Sequence, residues 1–424
     1  MQKLGARHIP GSIRAATFAA VFTLLLHLIA TLVTAVPAVL APVAAADFGV
    51  HPGRVGILIA IMFVVSLPAG LATQSIVARY GAERACHIVA ALSAVALLLM
   101  AGAGYGAIWA GRTGQLPVLL FLIPLIVAAL VVGLPMGMIN PLSSQILFRA
   151  APAQLRSFFF SLKQTAVPGA YATTGLLVPA LLLLMSWQAA LLVMGIVVAG
   201  WALFTLTVHV RVNPPTAKAS GGLRAFVEPV RAVWRSRQIR EMALVSLVYS
   251  ANQTGMSAYL VSYLNLEVGM SLLAAGALFA AGQFAGMVGR LVWGLSADLW
   301  IRPRTQIGLL GVVGGLSGLT VALFSAAWPN AAMLAVCVLF GFSAVSWNGI
   351  FLAEVARLAA LRNPGDIGAM TAGTGVYNNV GALSGPGLGA LLVAVTGIYA
   401  AGFTLLAIPA LLLGAWLVFT KAPA

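Results

Sequence analysis

Acidic side chains are scarce in this chain: 8 Asp and Glu stand against 23 Lys and Arg among 424 residues, and charged residues make up only 7%. A water-soluble globule carries about 25% charged residues, so that class is excluded. The two cysteines, Cys86 and Cys337, both fall in apolar stretches and form neither a disulfide framework nor a metal pattern. No Walker-type Gly-rich sequence is present, which argues against an ATP-driven pump. Nor is there a Ser/His/Asp or metal-ligand constellation, so neither an enzymatic activity nor a cofactor is expected. The acids Asp47, Glu83, Glu228, Glu241, Glu267, Asp298, Glu354 and Asp366 all lie in gaps or near the ends of apolar stretches. No carboxylate stands ready at mid-membrane to neutralise a cationic substrate.

What the chain has in abundance is hydrophobicity, 61% of its residues. Apolar stretches fall near 15–41, 54–78, 86–104, 117–148, 157–184, 188–210, 241–264, 271–297, 305–326, 330–357, 367–394 and 399–420. Runs of roughly 20 such residues span the ~30 Å of a bilayer interior as helices. The expected fold is all-α and polytopic, with twelve transmembrane helices.

Positive charge sorts into alternate gaps. The N-terminal segment, the 2–3, 4–5, 8–9 and 10–11 gaps, the long central segment and the tail together hold 19 of the 23 Lys and Arg. The opposite side has Arg54 and Arg112. By the positive-inside rule, both termini and the central segment are expected in the cytoplasm, in a bacterial inner membrane. The net charge of +15 then reflects topology and attraction to an anionic leaflet, and no nucleic-acid partner is expected.

Segment 211–240 breaks the apolar pattern and divides the chain into a bundle of six helices over 1–210 and another over 241–424. The halves echo each other faintly: Pro152 and Pro364, and Trp187 and Tyr399, occupy corresponding positions. The basic amphipathic piece from Leu223 to Arg240 is expected to lie on the membrane surface.

The 8–9 gap reads Gly289-Arg290-Leu291-Val292-Trp293-Gly294-Leu295-Ser296-Ala297-Asp298, followed by Arg302 and Arg304. It resembles the cytoplasmic Gly-x-x-x-Asp signature of the major facilitator superfamily. A degraded copy, Ala78-Arg79-Tyr80-Gly81-Ala82-Glu83-Arg84, stands in the 2–3 gap, with Ala78 in place of the usual Asp. The resemblance implies two pseudo-symmetric six-helix bundles that alternate access to a site between them. It also implies gating at Gly294, Asp298, Arg302, Arg79 and Glu354, with Gly294 letting helices approach closely. A Gly-Pro-Gly piece of the drug/proton antiporter signature occurs at 385–387, in the eleventh stretch and not the fifth.

Two cations, Lys163 and Arg290, lie inside the fifth and eighth stretches. In the fold that the resemblance implies, these two helices face each other across the passage. A charge at such depth costs ~2.5–3.5 kcal/mol on insertion scales, so it faces a cavity or a partner. Glu354 is the one acid near enough in sequence terms to pair with either. Other candidate substrate-binding positions are His27 on the first stretch, Asn140 on the fourth, Tyr249 and Asn252 on the seventh, and Gln283 on the eighth. Trp347 on the tenth and Tyr377 and Asn378 on the eleventh complete the set. For any one of these, helix–helix hydrogen bonding is the competing role. The expectation is a monomeric secondary transporter of a small anion, an organic carboxylate in the first instance, either proton-coupled or facilitative. Efflux of lipophilic compounds is the rival reading, and a non-transporting sensor on the same scaffold a more distant one.

Overall fold

Inside hydrocarbon every backbone N–H and C=O must be satisfied within its own segment, so an apolar chain of this kind folds into long helices. The computed structural model describes residues 13–150, 159, 162–208, 224–299, 301–362 and 367–420. Its helices are α1 (Ile13–Asp47), α2 (Val55–Thr113), α3 (Leu122–Ala150), α4 (Ala166–Leu182), α5 (Trp187–Thr205), α6 (Arg224–Trp234) and α7 (Arg237–Leu266). There follow α8 (Leu272–Leu299), α9 (Pro303–Val321), α10 (Asn330–Phe340), α11 (Asn348–Arg362), α12 (Ile367–Thr396) and α13 (Tyr399–Phe419). No strand occurs among the described residues.

Breaks in these helices have local causes. Gly81, at φ 86° and ψ 157°, folds α2 into two arms that carry the second and third apolar stretches. Only glycine reaches that conformation without strain, so the expected 2–3 loop shrinks to a single hinge residue. Another left-handed glycine, Gly114, caps the second arm. The tenth stretch, expected as one helix, is interrupted by a π-turn at Gly341–Val345. A π-turn dislocates the hydrogen-bond ladder and redirects the chain.

Ten segments among the described residues are long and apolar enough to cross a bilayer. Helices α7 and α9, with 30 and 19 residues, reach the same length and bring the total to twelve. α7 is less apolar because protein covers it: its side chains from Tyr249 to Leu264 are nearly all buried. The lipid-facing surfaces are apolar instead, with Leu183, Val197, Leu323 and Phe419 exposed.

α1 to α5 pack among themselves, and so do α7 to α13. The two sets meet where α4 lies on α8, α12 on α2 and α1 on α7. At the α4–α8 crossing a Cβ on either Gly175 or Gly276 would run into the other residue's carbonyl, so the backbones touch. Beyond it, Tyr259 of α7 donates its hydroxyl to Pro386 O at 2.8 Å and reaches Gly53 O of the α1–α2 connection at 3.2 Å. The end of the molecule away from the termini is thus sealed across both sets.

The amphipathic segment also packs on protein: Ala232 and Val233 of α6 are buried, and Pro229 O abuts Gly373 of α12. Trp234 Nε1 donates to Tyr377 Oη at 2.9 Å, and Arg362 donates to Arg235 O. A glycine opposite the helix lets α6 sink onto α12. Residues 211–223 of the segment lie outside the described residues.

Candidate functional site

The site begins with two carbonyls that their own helices cannot satisfy. Pro168 has no N–H, so the carbonyl of Gln164, four residues earlier, lacks its helical partner. Val345 closes the π-turn between α10 and α11. Arg290 of α8 serves both: Nη1 donates to Gln164 O at 2.7 Å, and Nε and Nη2 donate to Val345 O at 3.2 Å each. One guanidinium therefore stitches two interruptions, one from each set of helices. Its fork geometry, with five donors in a plane, allows this. Among the described residues Arg290 makes no salt bridge.

Lys163 precedes α4 by three residues, in a short helical turn that ends at Thr165. Its ammonium is 1% exposed and donates to Asn140 Oδ1 at 2.7 Å and Ser144 Oγ at 2.8 Å, both on α3. Arg290 thus bonds the carbonyl of the residue after Lys163, while the Lys163 ammonium turns to α3. His27 of α1, a helix that packs on α4, is buried. Its Nδ1 has no hydrogen-bond partner among the described residues.

The remaining sequence candidates divide. Asn140 joins the cluster, exposed on α3 as well as bonded to Lys163. Gln283 lies about two turns from Arg290 on α8, buried, with Nε2 3.4 Å from Ser257 Oγ of α7. Trp347, fully buried, donates Nε1 to Gln253 Oε1 at 3.0 Å just past the π-turn. Tyr249 and Asn252 are not brought to the cations. Tyr249 donates to Ile307 O of α9 at 3.1 Å, and both residues line a small void between α9, α13 and Ala344. Tyr377 is held by α6 as described, and Asn378 beside it is half-buried.

Glu354 does not pair with either cation. Both of its oxygens accept from Arg357 at 2.7 Å, because i,i+3 neighbours on one helix meet without any tertiary requirement. Gly294 also departs from the reading of close approach, with open space around it among the described residues. The tight contacts of α8 are instead at Gly282, Gly286 and Gly289, against Cys337, Val345 and Phe342. Arg302 is exposed at the start of α9 and Arg79 is exposed over the Tyr80 ring. The side chain of Asp298 lies outside the described residues.

Sequence reasoning missed Ser144 and Gln164. Ser144 carries no distinctive signal, but Gln164 had one: a proline four residues downstream frees its carbonyl.

Residues 23–375 match the sequence model of the Major Facilitator Superfamily. No curated protein matches by sequence. Among solved structures, a crystal structure of a variant of the nucleoside transporter NupG is similar, with a TM-score of 0.73 at 12% identity. The match covers 95% of this chain and 100% of that one.

Proposed function

The chain belongs to the major facilitator superfamily, and on that premise we propose that it carries a small anion, an organic carboxylate in the first instance, across the membrane by alternating access. The observation that supports this is Arg290, which bridges the two sets of helices through carbonyl oxygens and has no salt bridge among the described residues. A carboxylate accepts two parallel hydrogen bonds from a guanidinium, stronger than those a neutral carbonyl accepts. It therefore competes with Gln164 O for Arg290 and loosens the stitch between the sets. Lodged at the guanidinium, it lets the bundles over 1–210 and 241–424 rock about it. The face bearing most Lys and Arg is the cytoplasmic one in this reading, and Asp298 and Arg302 guard it. His27, with a bare nitrogen beside the site, is the candidate proton carrier if transport is proton-coupled.

NupG is named for nucleosides, but identity of 12% carries the fold and not the cargo. An uncharged solute would gain little from two cations within the helices.

Uptake of labelled carboxylates into proteoliposomes, with and without a pH gradient, tests the proposal. Wild-type protein should transport at least one of them and Arg290→Ala should not. Equal transport by both removes Arg290 from the site. Raised tolerance to lipophilic compounds in an expressing strain, without carboxylate uptake, would favour efflux instead.

A further inference from the structure

Away from the cations, a cavity of about 290 Å³ opens between α1, both arms of α2, α3 and α5. Its inner wall is apolar and buried, formed by Leu40, Met62, Ala129 and Leu191. Ile57 and Ile126 also line it and are 51% and 41% exposed, on the outer surface of the helices. The cavity thus opens sideways, toward the hydrocarbon, and not into the passage between the two sets. At its membrane-boundary end stand Arg54 and His51, in the short turn that starts the first arm of α2. Arg54 is one of two cations on this side of the chain, the other being Arg112. His51 accepts Gly53 N–H at Nδ1, so its Nε2 carries the proton and donates outward. The nearby Asp47 is already engaged, accepting from Trp187 and Gln188 at 2.7 and 2.9 Å.

We propose that this groove holds one acyl chain of an anionic phospholipid, whose phosphate sits on Arg54 and His51. An apolar slot entered from the bilayer, ending in donors at the boundary, matches a lipid's tail and head in order. A guanidinium favours phosphate in particular, through bidentate hydrogen bonds. The size lies at the low end of ligand pockets, ~300 Å³, which suits one chain and not two.

Mass spectrometry of the intact protein released from micelles tests this, using phosphatidylglycerol and phosphatidylcholine with identical chains. The wild type should retain one phosphatidylglycerol, about tenfold more than phosphatidylcholine. Arg54→Gln should bring the two to one level, and Ala129→Phe, which fills the slot, should abolish retention of both. As a second measurement, phosphatidylglycerol brominated along its chain should quench Trp187, which lines the cavity. That component should vanish in Trp187→Phe. Equal retention of the two lipids by the wild type, equal retention of uncharged diacylglycerol, or quenching unchanged in Trp187→Phe would each overturn the assignment.

Discussion

Arg290 and Arg304 stand on successive helices of the same half, yet they are satisfied in opposite ways. Arg304 meets the Glu241 carboxylate at 2.6 Å and Thr420 Oγ1 at 3.1 Å, with its guanidinium over the Trp416 ring at 5.2 Å. Arg290 meets only carbonyl oxygens among its hydrogen bonds, and one of them belongs to the other set of helices. The first charge is neutralised within one bundle, where it ties α7, α9 and α13 together. The second is solvated by carbonyl dipoles alone among the described residues. Equal residue types thus serve a fixed joint in one place and a breakable one in the other.

The sharpest way to break that contrast is Arg304→Leu, which strands Glu241 with only the exposed Arg237 beside it. Thermal unfolding in detergent should show a loss of about 3 kcal/mol, as for other pairs broken from one side, while KM for substrate stays unchanged. If KM rises with the loss of stability, Arg304 is no mere joint. Next in size is Arg290→Ala, for which kcat/KM should fall about a hundredfold through loss of charge-assisted hydrogen bonds. Arg290→Lys should recover part of this, because it restores the charge without the fork. Full recovery by lysine would show that the two-carbonyl stitch is dispensable. Lys163→Met should raise KM about tenfold, with kcat less affected, since one charged contact is worth roughly 1.5 kcal/mol. An unchanged KM would leave Arg290 as the sole anion contact. The smallest effect belongs to Glu354→Gln. Its partner Arg357 is 54% exposed, so the pair should contribute no more than about 0.5 kcal/mol, and transport should persist. A large loss of transport there would bring Glu354 back into the gate.

Much of the fold was legible before any coordinates. Runs of apolar residues locate the membrane helices because hydrocarbon accepts little else, and alternation of Arg and Lys between gaps orders the loops. The two cations of the site were legible for the same reason, since a charge within an apolar run is conspicuous. Partners were harder. Glu354 was the nearest acid available to Arg290 in sequence terms, yet Arg357 three residues on holds both its oxygens. Tyr249 meets Trp347 edge-on at 5.7 Å while its hydroxyl turns to Ile307 O of α9, and it is Gln253 that accepts from Trp347 Nε1. Close helix approach was expected at Gly294 and occurs at Gly282, Gly286 and Gly289, because the π-turn after α10 brings the chain against that part of α8.

Composition and charge order alone determined that this chain crosses a bilayer in many helices and carries positive side chains within them. Those properties follow from transfer between water and hydrocarbon, which depends on residue type and run length. Only the packed structure decided that Arg290 bridges the two sets of helices and that α6 rests on α12. A hydrogen bond depends on helix rotation and on distances of a few tenths of an ångström, and those are settled by all the neighbouring helices at once.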